Sequence, residues 1–188
     1  MILFIDACMR DCSRTREAAE HLLSRFEDDI QTVRLSDENI MPLDSESVAF
    51  RSNCTANEVY DDPMFGYAKQ FAQADTVVIA APYWDLSFPA ALRTYLEHIQ
   101  VHGITFVYSP EGIPTSLCRA EKLFYVSTAG GPVIGQENLG FSYIKLVGSA
   151  FWGIKEFELI QGEMLDVIGK DPVRILEEMK SRIDSIVF

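Results

Sequence analysis

The sequence predicts an α/β protein with a doubly wound, five-stranded parallel sheet and helices on both faces. Five short apolar runs alternate with five segments whose apolar residues recur at helical spacing. Strands that alternate with helices form right-handed βαβ units, which build a parallel sheet covered on both faces. The 188 residues include 48% hydrophobic residues. That content can bury one sizeable core, so we expect a single domain over residues 1–188.

The first half of the chain alternates between the two kinds of segment. The predicted strands are 2–7, 30–35 and 75–82, and the predicted helices are 13–26, 63–74 and 89–100. Pro89 stands in the first turn of its helix, where proline is tolerated. The polar stretch from Ser36 to Asn57 shows no period. It is therefore predicted to be a long loop, and loops of that length are usually functional or mobile.

The second half begins with a small excursion, 104–114, that has turn residues at its tip. Two further strands, 122–128 and 154–162, and two further helices, 139–152 and 171–187, complete the pattern. Asp171 followed by Pro172 is typical of the start of a helix.

Charge and composition exclude several classes of function. The net charge of −12 disfavours a nucleic acid or an anionic membrane surface as a partner. No apolar run approaches the ~20 residues that span a bilayer, and the chain opens on a strand without a leader, so we expect a cytoplasmic protein. The four cysteines are scattered without nearby histidines, which predicts reduced thiols and no metal site.

Ligands of such open sheets bind beyond the carboxyl ends of the strands, where the strand order reverses. Three loops follow strands at that edge: "CMRDCSRT", "PYWDLSF" and "STAGGPVIGQEN". These loops are the candidate binding segments.

The first loop has features of a phosphate site. Ser13, Arg14 and Thr15 stand at a predicted helix start, which offers free N–H groups and a partial positive charge. Arg10 and Arg16 add positive charge to an acidic protein, and arginine suits phosphate oxygens. The alternative is a helix capped by Ser13 with solvated arginines. The loop matches neither the P-loop nor the G-x-G-x-x-G pattern, which disfavours a nucleoside triphosphate or a dinucleotide.

The second loop suits a planar aromatic ring. Pro82 ends the third strand and Pro89 starts the next helix, so 83–88 must cross the sheet edge, where aromatic faces and free N–H groups could meet a ligand. The alternative places Tyr83 and Trp84 in the core or an interface.

In the third loop, Gly130 and Gly131 would let the backbone approach a ligand closely, although a simple turn would use them too.

Four motifs resemble those of FMN-dependent NAD(P)H oxidoreductases, the azoreductase and quinone-reductase group. "APYWDLSFPAALRTYLEHI" resembles that family's A-P-M-Y-N-F segment and the helix after it, and "GITFVYSPEGI" resembles its G-V-T-F-x-Y-T-x-x-G excursion. "VSTAGG" resembles the S-R-G-G loop, and "FWGIKEFELIQGE" resembles the F-I-G-I-x-x-V stretch. The four motifs occur in the family's order from Ala81 onward.

The resemblance implies a flavodoxin-like fold of strand order 2-1-3-4-5, a homodimer and one FMN near the interface in each chain. It implies that NAD(P)H delivers a hydride and leaves, and that a quinone, azo or related aromatic acceptor then takes two electrons at the same site. The flavin would carry the chemistry, so no catalytic residue is assigned. Carried over by position, the FMN-binding residues would be Arg10, Ser13, Arg14, Thr15, Pro82, Tyr83, Trp84, Asp85, Leu86, Ser127, Thr128, Gly130 and Gly131, and Tyr108 and Phe151 would line the partner's substrate pocket.

Three positions depart from the family pattern. Ala7 replaces a frequent serine, Asp85 replaces an asparagine, and Ala129 replaces an arginine. A carboxylate beside the ring disfavours an anionic reduced flavin, so either Asp85 points away from the ring or the flavin potential is lowered. Two other functions stay open: a flavodoxin-type electron carrier, and a partner-binding module that keeps the fold without the flavin.

Overall fold

The computed structural model describes residues 1–135 and 137–187; Gln136, in the third candidate loop, and Phe188 lie outside them. Five parallel strands form one sheet: β1 (Ile2–Asp6), β2 (Ile30–Arg34), β3 (Thr76–Ala80), β6 (Lys122–Thr128) and β7 (Glu156–Gly162), with β4 and β5 in the excursion described below. Their order is β2-β1-β3-β6-β7, which confirms the predicted fold class and, with the two strands of the excursion left out, the predicted strand order.

Six α-helices accompany the sheet in the described residues: α1 (Arg14–Leu23), α2 (Ser45–Ala56), α3 (Gly66–Gln73), α4 (Ala90–Ile99), α5 (Leu139–Val147) and α6 (Pro172–Asp184). A 3₁₀ turn, Pro63–Phe65, precedes α3, and a π turn, Gly148–Trp152, follows α5. In this part of the chain no helix combines the length and the apolar character that crossing a bilayer requires.

Apolar side chains cover both faces of the sheet. On one face, Ile2 and Phe4 of β1 pack with residues of α1 and α6 such as Leu22 and Met179. On the other face, β1 and β3 pack against α3, α4 and the π turn, whose Trp152 is fully buried. The central strands are therefore buried on both sides, which explains why they read as continuous apolar runs.

The predicted long loop from Ser36 to Asn57 is wrong, because its second half is helix α2. The helix has no strong apolar stripe, and only Cys54 is buried. Its start is stabilised instead by a reciprocal capping box, in which the Asp44 carboxylate accepts from the Ser47 N–H and the Ser47 hydroxyl accepts from the Asp44 N–H. A search for helical periodicity does not detect a helix of this kind.

The predicted excursion is an antiparallel hairpin, β4 (Phe106–Tyr108) and β5 (Pro114–Ser116). It packs against the π turn, since a Cβ on Gly153 would lie 2.9 Å from the Cβ of Ser116. The Phe106 and Phe151 ring centroids are 5.0 Å apart. The hairpin is thus anchored on the same side of the sheet as α5.

Candidate functional site

A cavity of about 230 Å³ opens at the carboxyl edge of the sheet, beside the ends of β1, β3 and β6. The strand order reverses between β1 and β3, so this is the place where open α/β sheets bind ligands. The lining residues are Met9, Arg10, Cys12, Ser13, Arg14, Thr15, Pro82, Tyr83, Trp84, Thr128, Gly130 and Asp166. The structure therefore gathers nine of the predicted cofactor residues and leaves Asp85, Leu86, Ser127 and Gly131 outside the lining.

The start of α1 forms one wall of the cavity. Ser13 caps the helix: its hydroxyl accepts from the Arg16 N–H at 3.3 Å, and its carbonyl accepts from the Glu17 N–H. The N–H groups of Arg14 and Thr15 have no partner inside the helix, because the first turn of a helix leaves its donors unpaired. These two donors and the helix dipole are available to an anion.

A hydroxyl bridge joins this wall to the next strand. Thr15 Oγ1 lies 2.6 Å from Thr128 Oγ1 at the end of β6. The Thr128 carbonyl accepts from the Tyr83 N–H, so α1, β6 and the loop after β3 are tied together at the cavity.

Arg14 is paired with the loop after β7 rather than solvated. Its guanidinium donates to the Leu165 carbonyl at 2.9 Å and to the Asp166 carboxylate at 2.6 Å. Asp166 is held in turn by its N–H bond to the Gly130 carbonyl. Of the three arginines predicted near the phosphate, only the exposed Arg10 has a side chain for which no hydrogen bond or ion pair is recorded among the described residues.

The prediction that Arg16 contributes charge to the site is wrong. Its side chain turns inward and is almost fully buried, with Nε 2.5 Å from Oδ2 of Asp6, a residue with no exposed surface. Burial is the largest single effect on Arg16 and lowers the pKa of the guanidinium, but the hydrogen bond to Asp6 and the attraction of nearby acidic groups, Asp6 first, together raise that pKa above its usual value.

The loop after β3 forms a tight hairpin turn, which corrects the expectation that its N–H groups are free. Trp84 and Ser87 exchange two backbone hydrogen bonds, of 3.2 and 2.8 Å, and the intervening Asp85 and Leu86 have φ values of 49° and 67°. This is the geometry of a two-residue turn with both central residues left-handed. Since Tyr83 also donates to Thr128, the N–H groups of Asp85 and Leu86 are the ones in this turn with no recorded acceptor among the described residues.

The conformation at position 85 explains one departure from the family pattern. Asparagine and aspartate are the non-glycine residues that adopt the left-handed conformation most readily, so either can occupy this turn. The Asp85 side chain is exposed. Ala7 and Ala129 are buried, and we find no structural reason for these two substitutions.

The loop after β6 contributes less than the sequence suggests. Ser127 is buried and accepts a long bond of 3.4 Å from the Asn138 amide, so its side chain belongs to the interior. Gly130 is explained by its neighbour, because a Cβ there would lie 2.5 Å from Oδ2 of Asp166. For Gly131, a Cβ would meet no atom within 4 Å, so space does not require glycine at that position.

Tyr108 and Phe151 do not reach the cavity of their own chain. Both rings pack on Phe106, at centroid distances of 5.3 and 5.0 Å, and Tyr108 also stacks on His102. Tyr108 nevertheless keeps 53% of its surface exposed. The two residues form an aromatic cluster at the hairpin rather than part of the cavity wall.

The sequence reasoning missed Met9, Cys12 and Asp166 as lining residues. Met9 and Cys12 lie in the first candidate loop, but only its arginines and hydroxyl side chains were predicted to bind a ligand. Asp166 follows β7, whose carboxyl end lies at the same edge, so the rule that selected the other loops would also have selected this one.

The thiols of Cys8 and Cys118 are buried and partly buried, respectively. Burial raises the pKa of Cys8 to about 12 and that of Cys118 to about 11, so both remain neutral at physiological pH. Over the described ranges, no group of three His, Cys, Asp or Glu residues could hold a metal ion.

Comparison of this chain with known proteins identifies a family, sequence relatives and similar structures. Residues 1–187 match a family described as having a flavodoxin-like fold. An FMN-dependent NADH:quinone oxidoreductase from Clostridium perfringens is 34% identical, with 99% of this chain and 96% of that protein covered. A protein of the same name from Clostridium beijerinckii is 38% identical over 88% of this chain and 86% of its own length. A Bacillus anthracis FMN-dependent NADH-azoreductase, solved with FMN, superimposes with a TM-score of 0.80 at 19% identity, covering 97% of this chain and 95% of that one.

Proposed function

The chain belongs to the flavodoxin-like fold family, and from this we infer that it is an FMN-dependent NADH oxidoreductase that reduces quinones or related aromatic acceptors. The observation that carries the proposal is the composition of the cavity. It combines the N-terminus of α1, an exposed arginine and an aromatic loop at the switch point of the sheet. Relatives more than 30% identical over nearly the whole chain carry this activity in their names.

The lining residues fit the two ends of FMN. The free N–H groups of Arg14 and Thr15, with Arg10 beside them, suit a phosphate dianion. The half-exposed Trp84 offers a face to a planar ring, and the buried Tyr83 hydroxyl has no hydrogen-bond partner among the described residues, so it can bond a polar atom of a ligand. Ser127 and Gly131, by contrast, do not line the cavity, and their assignment as FMN ligands depends on the family resemblance alone.

The mechanism divides the work between the cofactor and the chain. When bound, FMN would supply the two-electron chemistry, and the single cavity would serve NADH and the acceptor in turn, in a ping-pong sequence. The start of α1 would anchor the phosphate, and Trp84 and Tyr83 would orient the ring. The turn at Asp85 and Leu86 presents two N–H donors at the exposed side. Water or the Tyr108 hydroxyl of a partner chain would supply the proton to the acceptor.

A homodimer completes this proposal. Tyr108 and Ile113 of the excursion, and Leu117 just after β5, are all more than 40% exposed, and an exposed apolar patch of this kind is typical of an interface. Packed against a second copy, Tyr108 and Phe151 would line the partner's substrate pocket, as the resemblance implies. The cytoplasmic location and the single-domain organisation remain predictions.

The absorbance spectrum of the purified protein tests the proposal most directly. We expect a flavin spectrum, a released chromophore with the mass of FMN, and quinone-dependent oxidation of NADH. A holoprotein that does not oxidise NADH would indicate the electron carrier. A colourless protein that takes up no added FMN would indicate the flavin-free binding module.

A further inference from the structure

Arg16 and Asp6 form a buried pair beneath the loop that joins β1 to α1. Besides its bond to Asp6, the Arg16 guanidinium donates to three carbonyls of that loop: Cys8 O at 2.7 Å, Arg10 O at 3.0 Å and Asp11 O at 3.0 Å. The second carboxylate oxygen of Asp6 accepts from the Cys8 N–H at 2.9 Å. One buried side chain therefore fixes almost the whole turn between strand and helix.

The charge of this arrangement is balanced inside the protein. Arg34, at the end of β2, places its Nε 3.4 Å from the same Asp6 oxygen. Asp6 is fully buried and Arg16 nearly so, whereas the Arg34 side chain is 44% exposed. The Arg16 charge is therefore neutralised by Asp6 and is not presented to the cavity.

The three carbonyl bonds also determine where the loop's N–H groups point. In a planar trans peptide, the carbonyl of one residue and the N–H of the next point in opposite directions. Carbonyls 8, 10 and 11 are turned inward to Arg16, so the N–H groups of Met9, Asp11 and Cys12 are turned away from it. Met9 and Cys12 line the cavity, and the N–H groups of Arg14 and Thr15 follow at the start of α1.

We propose that Arg16, held by Asp6, is a positioning residue that turns the backbone N–H groups of Met9, Asp11 and Cys12 outward to receive the FMN phosphate. Successive backbone N–H groups that converge in a turn form an anion-binding concavity. The inference rests on the proposed function, since it takes the phosphate of FMN as the ligand. It separates two tasks: Arg16 shapes the site from within, while Arg10 and the start of α1 contact the anion.

The test compares two flavins that differ only in the phosphate. Wild type, Arg16→Lys and Asp6→Asn are titrated with FMN and with riboflavin, following flavin fluorescence, and circular dichroism establishes that each variant is folded. Lysine keeps the charge opposite Asp6 but lacks the fork of donors that reaches three carbonyls. Asp6→Asn keeps the shape of the side chain and one oxygen acceptor but removes the negative charge that holds Arg16. If the lysine variant does not fold, Asp6→Asn alone provides the comparison. Arg51→Lys is the matched control, because Arg51 also donates to a backbone carbonyl, that of Glu97, but outside this loop.

We expect Arg16→Lys and Asp6→Asn to weaken FMN binding by about tenfold or more, the effect of misplacing one or two donors to a charged group. Riboflavin affinity should change by less than about twofold, since the ring is held by the loop after β3. Equal losses for both flavins, or an unchanged preference for FMN, would overturn the positioning role and leave the proposed function standing. A wild-type chain that binds neither flavin would overturn both.

Discussion

At the scale of single residues, the turn at Asp85 and Leu86 shows strain beside the cavity. A left-handed conformation costs an ordinary L-residue about 1–2 kcal/mol, and aspartate tolerates it better than leucine does. Leu86 nevertheless has φ of 67° and leaves 43% of its surface exposed, so packing does not compensate fully. Strained backbone conformations of this kind often occur in loops that bind a ligand.

Replacing Leu86 with glycine should therefore stabilise the apoprotein. We expect Leu86→Gly to raise the free energy of unfolding by about 0.5–1 kcal/mol, because glycine adopts this conformation without a steric penalty. Urea denaturation of the two proteins measures the difference. Asp85→Asn, which suits the same conformation, is the control and should change the value by less than about 0.5 kcal/mol. A less stable glycine variant would show that Leu86 contributes packing that outweighs the strain.

The buried thiol of Cys8 makes the stability of the folded protein decrease at alkaline pH. Its pKa is about 12 in the folded protein, against 9.0 for an ordinary cysteine, because burial disfavours the thiolate. Between these values the unfolded chain binds fewer protons than the native one, so stability is lost as the pH rises above 9. From pH 8.5 to 10.5 this loss should be about 2 kcal/mol from Cys8 alone. Cys8→Ala should flatten the pH dependence of the unfolding free energy by that amount, and equal slopes would contradict the assignment.

At the scale of elements, the helices of this protein form for two different reasons. Helix α4 has buried apolar residues at helical spacing, among them Leu92, Tyr95, Leu96 and Ile99, and its sequence alone predicts it. Helix α2 buries a single side chain and begins at a capping box. Tertiary packing thus contributes much to α4 and little to α2, so α2 should depend on its cap.

The cap of α2 can be tested by hydrogen exchange. Asp44→Ala removes the acceptor for the Ser47 N–H and should accelerate amide exchange across 45–56 relative to α4 in the same molecule. Asp44→Asn retains an acceptor of the same shape and should preserve the protection. The bond from Ser47 lowers the pKa of Asp44 below its usual 3.8, so wild-type protection should hold above that pH and fall as the pH drops through the lowered pKa. Equal exchange in the alanine variant would mean that packing, not the cap, holds α2.

At the scale of the whole molecule, the sheet brings four loops to one edge while the hairpin β4–β5 lies apart from the cavity. The resemblance to the azoreductase and quinone-reductase group is confirmed by the family match and by relatives that are 34–38% identical. The aromatic cluster of Tyr108 and Phe151 gains a role at a substrate pocket only if a second chain brings it there. The homodimer is therefore the prediction that links the hairpin to function.

A charge on the hairpin should separate the two chains. Ile113→Asp places a carboxylate in the exposed apolar patch, and light scattering should report a monomer where the wild type is a dimer. Tyr108→Ala should leave FMN affinity nearly unchanged and lower the rate of acceptor reduction. The reason is that the flavin ring beside this Tyr108 would be held by residues of the other chain. Ile168→Asp changes a fully exposed isoleucine between β7 and α6, outside the hairpin sequence, and should leave the dimer intact. A wild-type monomer with full NADH oxidation would refute this prediction.

By itself the sequence pattern determined the five strands and their parallel arrangement, and the family resemblance supplied their order. Strand and helix patterns are local, and the right-handedness of βαβ units then limits the sheet to a few possible topologies. Only the tertiary structure decided what individual polar residues do. Arg14 and Arg16 are two positions apart, yet one pairs with Asp166 near the cavity and the other turns into the interior to meet Asp6. Their partners come from the loop after β7, 152 residues away, and from β1, ten residues away, and contacts between different elements leave no periodic signal in the sequence.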